Sequence, residues 1–587
     1  MRTLRSVSAH GCALSQCAAT LALVTALDER PASRPTTTTV SVAEYLGARL
    51  LQAGVTDLFG VPGDFNLDLL DGLATVEGLA WVGSPNELGA GYAADAYARV
   101  RGLAVLITTY GVGELSAINA LAGAAAEDAP LLHVVGSPRR AAVEAGALVH
   151  HTLADGEFGH FSRAAAELTV VTETLTLERA AEQIDTVVLA ATTHRRPAYL
   201  SVPQDLALAR IDAGPLEHRL TAASDPAALH AFETRVTELL VDAQRPVLVV
   251  GQLVPRFGLG ADLADLAARA GVAVVTQLSA RGVLDPEHPS FAGDHAGTML
   301  DNGTAELVAA ADVVVHVGTL LTSELTGFGS HRRPGVDTPF LAATEAGFGA
   351  TATGRVLLPD ALAALDRALA GRRGPRFARA DRPVASTPVH APDAPLTQAA
   401  TWDLLAAALP EHTALLADTG TAYWGAAGMP LPADTVFGGQ PVWSSIGYAL
   451  PAVLGQGLAD RARRPVLVIG DGAAQMTVQE LSTIAAAGLA PVVLLLDNRG
   501  YTIERALQSP RASYNDVAAW DWCALVPALT GDRGRAVSVR TAGELSAALA
   551  DAFADTTHLV FVQAHLDADD TPPLIDALAR LATATKG

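Results

Sequence analysis

Cysteine is scarce: Cys12, Cys17 and Cys523 are the only three in 587 residues. That argues against a disulfide framework or a cysteine-ligated metal site, and a reducing, cytoplasmic setting is expected. Charge is thin, at 17% of residues, and basic residues are the minority, 40 against 62 acidic, for a formal net charge of −22. A nucleic-acid partner needs a basic face, which this balance disfavours. No long acidic block is present, so the acidity reads as a solubility feature. Long apolar runs are missing too. The nearest, 13–27, is short and broken by Ser15, Gln16, Thr20 and Thr25, so no membrane span is expected. Arg2 and Arg5 precede it, which raises a signal peptide as an alternative. The expectation is a disordered extension over 1–38, or a start codon placed too early, with 35–39 as a linker.

Half of the residues are hydrophobic, and a chain of this length divides into several domains. Short apolar runs alternate with helix-periodic segments from residue 40 onward. That pattern implies α/β architecture: three doubly wound, parallel-sheet domains at 39–215, 226–370 and 393–570, then a C-terminal tail helix over 571–587. Residues 212–225 and 371–392 read as linkers. A strand is expected over 168–172. The middle unit has no G-x-G-x-x-G after its first strand and is read as structural.

The stretch 470–504 organises the chain. An apolar strand, 465–469, ends at Gly470-Asp471-Gly472; a helix is expected over 475–487; a second apolar strand, 492–496, ends at Asp497-Asn498. In a strand–helix–strand unit both strand ends open onto the same sheet edge, where α/β proteins bind ligands. Asp471 and Asn498 should meet there. Two side-chain oxygens and a loop carbonyl, beside a helix N-terminus, suit Mg2+ holding a diphosphate. Other residues admit blander readings when taken singly. Glu87, after the cap residue Asn86, would complement a helix dipole. Asp64, after Pro62-Gly63, would serve a turn. His150 and His151 would be surface residues, and Ile446 a core residue.

In combination these blocks resemble the thiamine diphosphate-dependent 2-oxo acid decarboxylases, the pyruvate decarboxylase-like group that includes indolepyruvate, phenylpyruvate and branched-chain enzymes. The likeness spans about 40–566. It rests on the segments starting at Gly60, Asn86, Gly111, Leu148, Asp418, Gln440 and Gly470. The resemblance implies a pyrimidine-binding, a middle and a diphosphate-binding domain. It implies that Asp471, Asn498 and the Gly500 carbonyl bind Mg2+. Glu87 would hydrogen-bond N1′ of the aminopyrimidine, so that N4′ can remove the C2 proton. Asp64, His150, His151 and Glu504 would handle protons over the thiazolium. Decarboxylation requires such groups, because the carbon that loses CO2 must be protonated before the aldehyde leaves.

The resemblance further assigns Thr419, Thr421, Ser444, Ile446, Gly472, Ala473 and Tyr501 to cofactor binding, with Ile446 as the wedge that bends the cofactor. Three positions depart from the family pattern. Ser444 replaces a glycine, Ala473 stands where a serine often sits, and Asp497 replaces an asparagine. Tyr423, Trp424, Ile503 and Leu507, with Thr419, match pocket positions. Their apolar character favours an apolar 2-oxo acid without choosing among pyruvate, branched-chain and aryl-pyruvate substrates. The family's sites lie between subunits, so a homodimer is the expected minimum and a homotetramer the expected assembly. Two rivals stand beside this reading: an acetolactate synthase-like carboligase and a catalytically silent binding subunit.

Overall fold

The structure, a computed structural model, describes residues 38–331, 338–379 and 389–585. The expected extension over 1–38 and most of its two cysteines' surroundings therefore fall outside the described residues, save residue 38.

The first sheet has six strands, all parallel, in the spatial order Ala80–Gly83, Asp57–Gly60, Ala104–Thr109, Leu131–Ser137, Ala198–Pro203, Thr172–Thr174. The third domain's sheet is also six-stranded and parallel, ordered Val436–Gly438, Thr413–Ala417, Arg464–Gly470, Val492–Asp497, Leu559–His565, Gly534–Val539. Counted along each domain, the two orders are the same. The two domains thus share one topology with no repeat legible in their sequences. Their central strands read as near-continuous Val, Leu and Ile because both faces are covered by helices.

The middle sheet has seven strands. Five are parallel, Phe291–His295, Ala273–Gln277, Pro246–Val250, Val313–Val317 and Pro339–Leu341; an antiparallel hairpin, Glu345–Phe348 and Thr351–Arg355, completes its edge. Three further expectations need correction. The strand placed at 168–172 is Thr172–Thr174, although the Val171 carbonyl already accepts from Tyr199 N–H. The segment 212–225 is not a plain linker. Arg210–Asp212 pairs with Thr39–Ser41, and the carbonyls of Pro215 and His218 accept from buried Arg49. The helix expected over 475–487 is two, Asp471–Thr477 and Glu480–Ala486. No proline or glycine marks the break; Thr477 gives its hydroxyl to the Gly447 carbonyl there.

One apolar core runs through the first and third domains. Its seam is the helix Glu87–Arg101 against the helix Ala449–Ala459. Both faces are small residues, so the backbones approach closely. A Cβ on Gly455 would stand 1.9 Å from the Ala93 carbonyl oxygen. Among the described residues no helix is long and apolar enough to cross a membrane.

Candidate active site

The candidate residues lie at the carboxyl edges of the two matching sheets, in two groups. In the third domain, three neighbouring strands end side by side. Thr413–Ala417 leads to Asp418-Thr419-Gly420, Arg464–Gly470 leads to Asp471, and Val492–Asp497 leads to Asn498. Asp471 is buried, and its two oxygens accept from the N–H groups of Gly472, at 2.8 Å, and Gly500, at 3.1 Å. Burial pushes its carboxyl up to about 7, with the neighbouring Asp497 adding to the shift. Asn498 is 2% exposed, and its Oδ1 has no hydrogen-bond partner. Asp497, the departure from the family pattern, is occupied elsewhere: it accepts from Gln563 at 2.6 Å and faces His565 at 3.2 Å. Gly500 holds φ at 137°, and a Cβ there would fall 2.0 Å from the Asn515 carbonyl, so the loop requires glycine.

Sequence reasoning missed two residues that shape this edge. Arg505 is buried and donates to the carbonyls of Asn498, Arg499, Asn515 and Ala568, and to Asp516. It holds the 498–500 loop from behind. Asp418 is buried, accepts from the N–H groups of Gly447 and Ala449, and is raised by burial to about 7. Arg505 follows Glu504 in the motif that was read, but bonds to backbone carbonyls, which every residue carries, leave no signature in the sequence.

Thr421 opens the helix Thr421–Gly428, with Gly420 as its cap. Thr419 stands between that cap and Asp418. Ala473 is buried in the turn that begins at Asp471, and Tyr501 packs against the Gly472 backbone. Ile446 is half-buried on the core shared by both domains. Ser444 sits at φ 56°, in the left-handed region. A residue with a Cβ pays about 1–2 kcal/mol there. Ser444→Gly is therefore expected to raise unfolding stability by about 1 kcal/mol with catalysis kept, as chemical denaturation would show. Unchanged or lower stability would contradict the strain.

Glu504 is exposed on the short helix Thr502–Leu507, with Ile503 half-buried and Leu507 exposed beside it. Ile503 reaches toward Gly420, where a Cβ would stand 3.8 Å from its Cγ2. Tyr423 and Trp424 are both buried, their rings edge to face at 5.5 Å. Trp424 lines a cavity of about 660 Å3 between the middle and third domains, together with Arg281, Trp402 and Leu574.

The second group belongs to the first domain. Asp64 Oδ2 lies 2.7 Å from His150 Nε2, and Oδ1 lies 3.9 Å from His151 Nε2. The Phe65 ring stacks on His150 at 4.9 Å, and the two imidazoles are 4.5 Å apart. Gly111 turns the chain beneath them at φ 66°, where a Cβ would meet the His151 carbonyl at 2.0 Å. Glu87 is the first residue of its helix, and Asn86 caps that helix through Gly89 N–H at 2.7 Å. Its carboxylate lies against Gly113, where a Cβ would stand 3.2 Å from Oε1. No hydrogen bond or ion pair links either Glu87 or the Asp64–His150–His151 cluster to the Asp471–Asn498 edge among the described residues.

Comparison with known proteins bears on this division. Residues 40–157 match the N-terminal TPP binding domain of thiamine pyrophosphate enzymes, 234–335 their central domain, and 418–564 their C-terminal TPP binding domain. An alpha-keto-acid decarboxylase of Mycobacterium leprae (strain TN) is 40% identical over 550 residues, covering 92% of this chain and 95% of the relative. Proteins of the same name from Mycolicibacterium paratuberculosis, 39% identical, and Mycobacterium tuberculosis (strain H37Rv), 38% identical, each cover 92% of this chain and 96% of their own length. The chain belongs to the thiamine diphosphate-dependent 2-oxo acid decarboxylase family.

Proposed function

We propose that the protein releases CO2 and an aldehyde from an apolar 2-oxo acid, using thiamine diphosphate and Mg2+, at a site completed by two copies of the chain. The observation that carries this reading is the oxygen edge: the buried Asp471 carboxylate, the unpartnered Asn498 Oδ1 and the Gly500 loop. Oxygen donors of this kind suit a hard cation that keeps phosphate ligands. Asp471, Asn498 and the Gly500 carbonyl would hold the metal. Thr419, Thr421, Gly472, Ala473 and Tyr501 would hold the diphosphate, and Ser444 and Ile446 would meet the aminopyrimidine.

Bound thiamine diphosphate supplies a carbon nucleophile for the keto group and an acceptor for the electron pair that CO2 leaves behind. The chain's own groups do the rest. Glu87 holds the proton at N1′. Asp64, His150 and His151 carry the protons that the reacting carbon and the departing oxygen exchange, and Glu504 and Ile503 face the substrate. Tyr423, Trp424 and Leu507 complete the apolar wall, which admits pyruvate, branched-chain or aryl side chains.

Two copies enter this reading because Glu87 and Asp64 stand on the first domain and Asp471 and Asn498 on the third, and the resembling family pairs those domains from different subunits. Apolar groups are exposed beside both halves: Val112 and Leu115 flank Gly113, which lies against Glu87, and Met476 lies on the helix that begins at Asp471. A homodimer is the minimum, and a homotetramer, in the cytoplasm, is the fuller assembly. The test is aldehyde release from a 2-oxo acid by purified protein given cofactor and Mg2+.

A pH dependence follows from Asp471. Without a cation its folded-state pKa is raised, so the ionised form costs stability as pH climbs from the ordinary carboxylate range through about 7. A cation must displace that proton. Mg2+ affinity in the presence of thiamine diphosphate is expected to strengthen by up to about tenfold per pH unit below 7 and to level off above it. Thermal-shift titrations at pH 5.5, 6.5 and 8 check this; equal affinities at all three would contradict it.

A further inference from the structure

The segment 440–447 carries Ser444 and Ile446, yet Trp443 and Ser444 are exposed and Ser444 is strained. Packing alone does not hold such a shape. A strained backbone persists where its surroundings over-determine it. The surroundings here are polar groups of the first domain. Arg99 donates to the Gly439 carbonyl at 2.7 Å, Trp443 Nε1 donates to Asn119, and Tyr92 and Ser445 share a hydrogen bond at 2.6 Å. The tightest hold is Glu127, the residue after the helix Ile118–Ala126. It is 0% exposed, and one oxygen, Oε1, accepts from both Val442 N–H at 2.8 Å and Trp443 N–H at 3.1 Å.

Those two amides directly precede Ser444. Amides set against a buried oxygen in this way are costly to leave unpaired, so the shared oxygen fixes both. Burial pushes the Glu127 carboxyl above the ordinary range, against the opposing charges of Arg99 in the first domain and Arg256 in the middle domain, while Gln252 donates to the Glu127 carbonyl and to Asp128. All three domains therefore converge on Glu127.

We propose that Glu127 is the positioning residue that shapes the 440–447 segment, and through it sets where Ser444 and Ile446 meet the aminopyrimidine. The proposal rests on the reading of that segment as cofactor-facing. It touches neither substrate nor cofactor itself, so its action is indirect.

Two variants test it. Glu127→Gln keeps the shape and removes the charge; Glu127→Asp keeps the charge between Arg99 and Arg256 but draws the carboxylate back from the two amides. The first readout is amide hydrogen exchange in cofactor-free protein. Exchange within 440–447 should quicken by at least about tenfold in both variants, with the strands Thr413–Ala417 and Arg464–Gly470 unchanged. The second readout is thiamine diphosphate affinity, expected to weaken by about tenfold, and by markedly less when Ile446 is already alanine, because both changes act through one element. Unchanged exchange at 440–447, or losses of affinity that simply multiply with Ile446→Ala, would overturn the proposal. Exchange is read without cofactor or substrate. A protein that released no aldehyde would sink the functional reading and leave this test decisive.

Discussion

Glu87→Gln is expected to lower kcat by at least about 100-fold, the scale of a lost proton-transfer partner. Binding of the cofactor should weaken far less, because the residues proposed to hold the metal, Asp471 and Asn498, belong to the third domain. The variant is nearly isosteric and half-buried at the head of a helix already capped by Asn86, so stability should barely change. The structural alternative, in which Glu87 only complements the helix dipole, predicts the reverse pattern: a loss of a few tenths of a kcal/mol to about 1 kcal/mol of stability and an intact rate. Steady-state kinetics with saturating cofactor, paired with thermal denaturation, separates the two.

The second large effect comes from combining two dead variants. Glu87→Gln disables the first-domain half of a site, and Asp471→Asn disables the third-domain half. Each alone should be close to inactive. Co-expressed, they should recover about one quarter of wild-type activity, because half of random dimers are mixed and each mixed dimer of twofold symmetry has one intact site of two. Recovery requires that each site take its halves from different chains. If both halves came from one chain, every site would carry one lesion and the mixture would stay inactive. Separate affinity tags on the two variants allow the mixed species to be isolated and assayed directly.

Much of this was legible in the sequence, for identifiable physical reasons. The meeting of Asp471 and Asn498 at one sheet edge was readable because two apolar runs of strand length end in Gly470-Asp471-Gly472 and Asp497-Asn498, and adjacent parallel strands must open on the same side. The cap at Asn86 was readable because its side chain acts within three residues. The residues that went unread act on backbone groups rather than on side chains with a recognisable pattern. Glu127 reaches Val442, and Asp418 reaches Gly447 and Ala449. Arg505 satisfies carbonyls from four different positions. Each is a buried ionisable group whose partners are mostly backbone groups, which carry no residue identity. The helix break at 478–479 escaped because the sequence there keeps helical periodicity and has no breaker. The hairpin edge of the middle sheet escaped because Glu345–Phe348 and Thr351–Arg355 are short and built largely from Gly, Ala and Thr, without the branched apolar run that marks a buried strand. The shared topology of the first and third domains left only alternation in the sequence, since buried parallel strands accept any of several branched residues.

The measurement that bears most directly on the central claim is aldehyde formation, coupled to an alcohol dehydrogenase, with thiamine diphosphate and Mg2+ present. Pyruvate, 2-oxoisovalerate, phenylpyruvate and indolepyruvate would be compared by kcat/KM. The account predicts cofactor-dependent aldehyde release from at least one of these acids, abolished by Glu87→Gln. A preference for the branched or aryl acids would mean that Tyr423, Trp424 and Ile503 enclose a roomy pocket; a preference for pyruvate would mean that they close it down. No aldehyde from any of the four, in protein that binds the cofactor, would contradict the account.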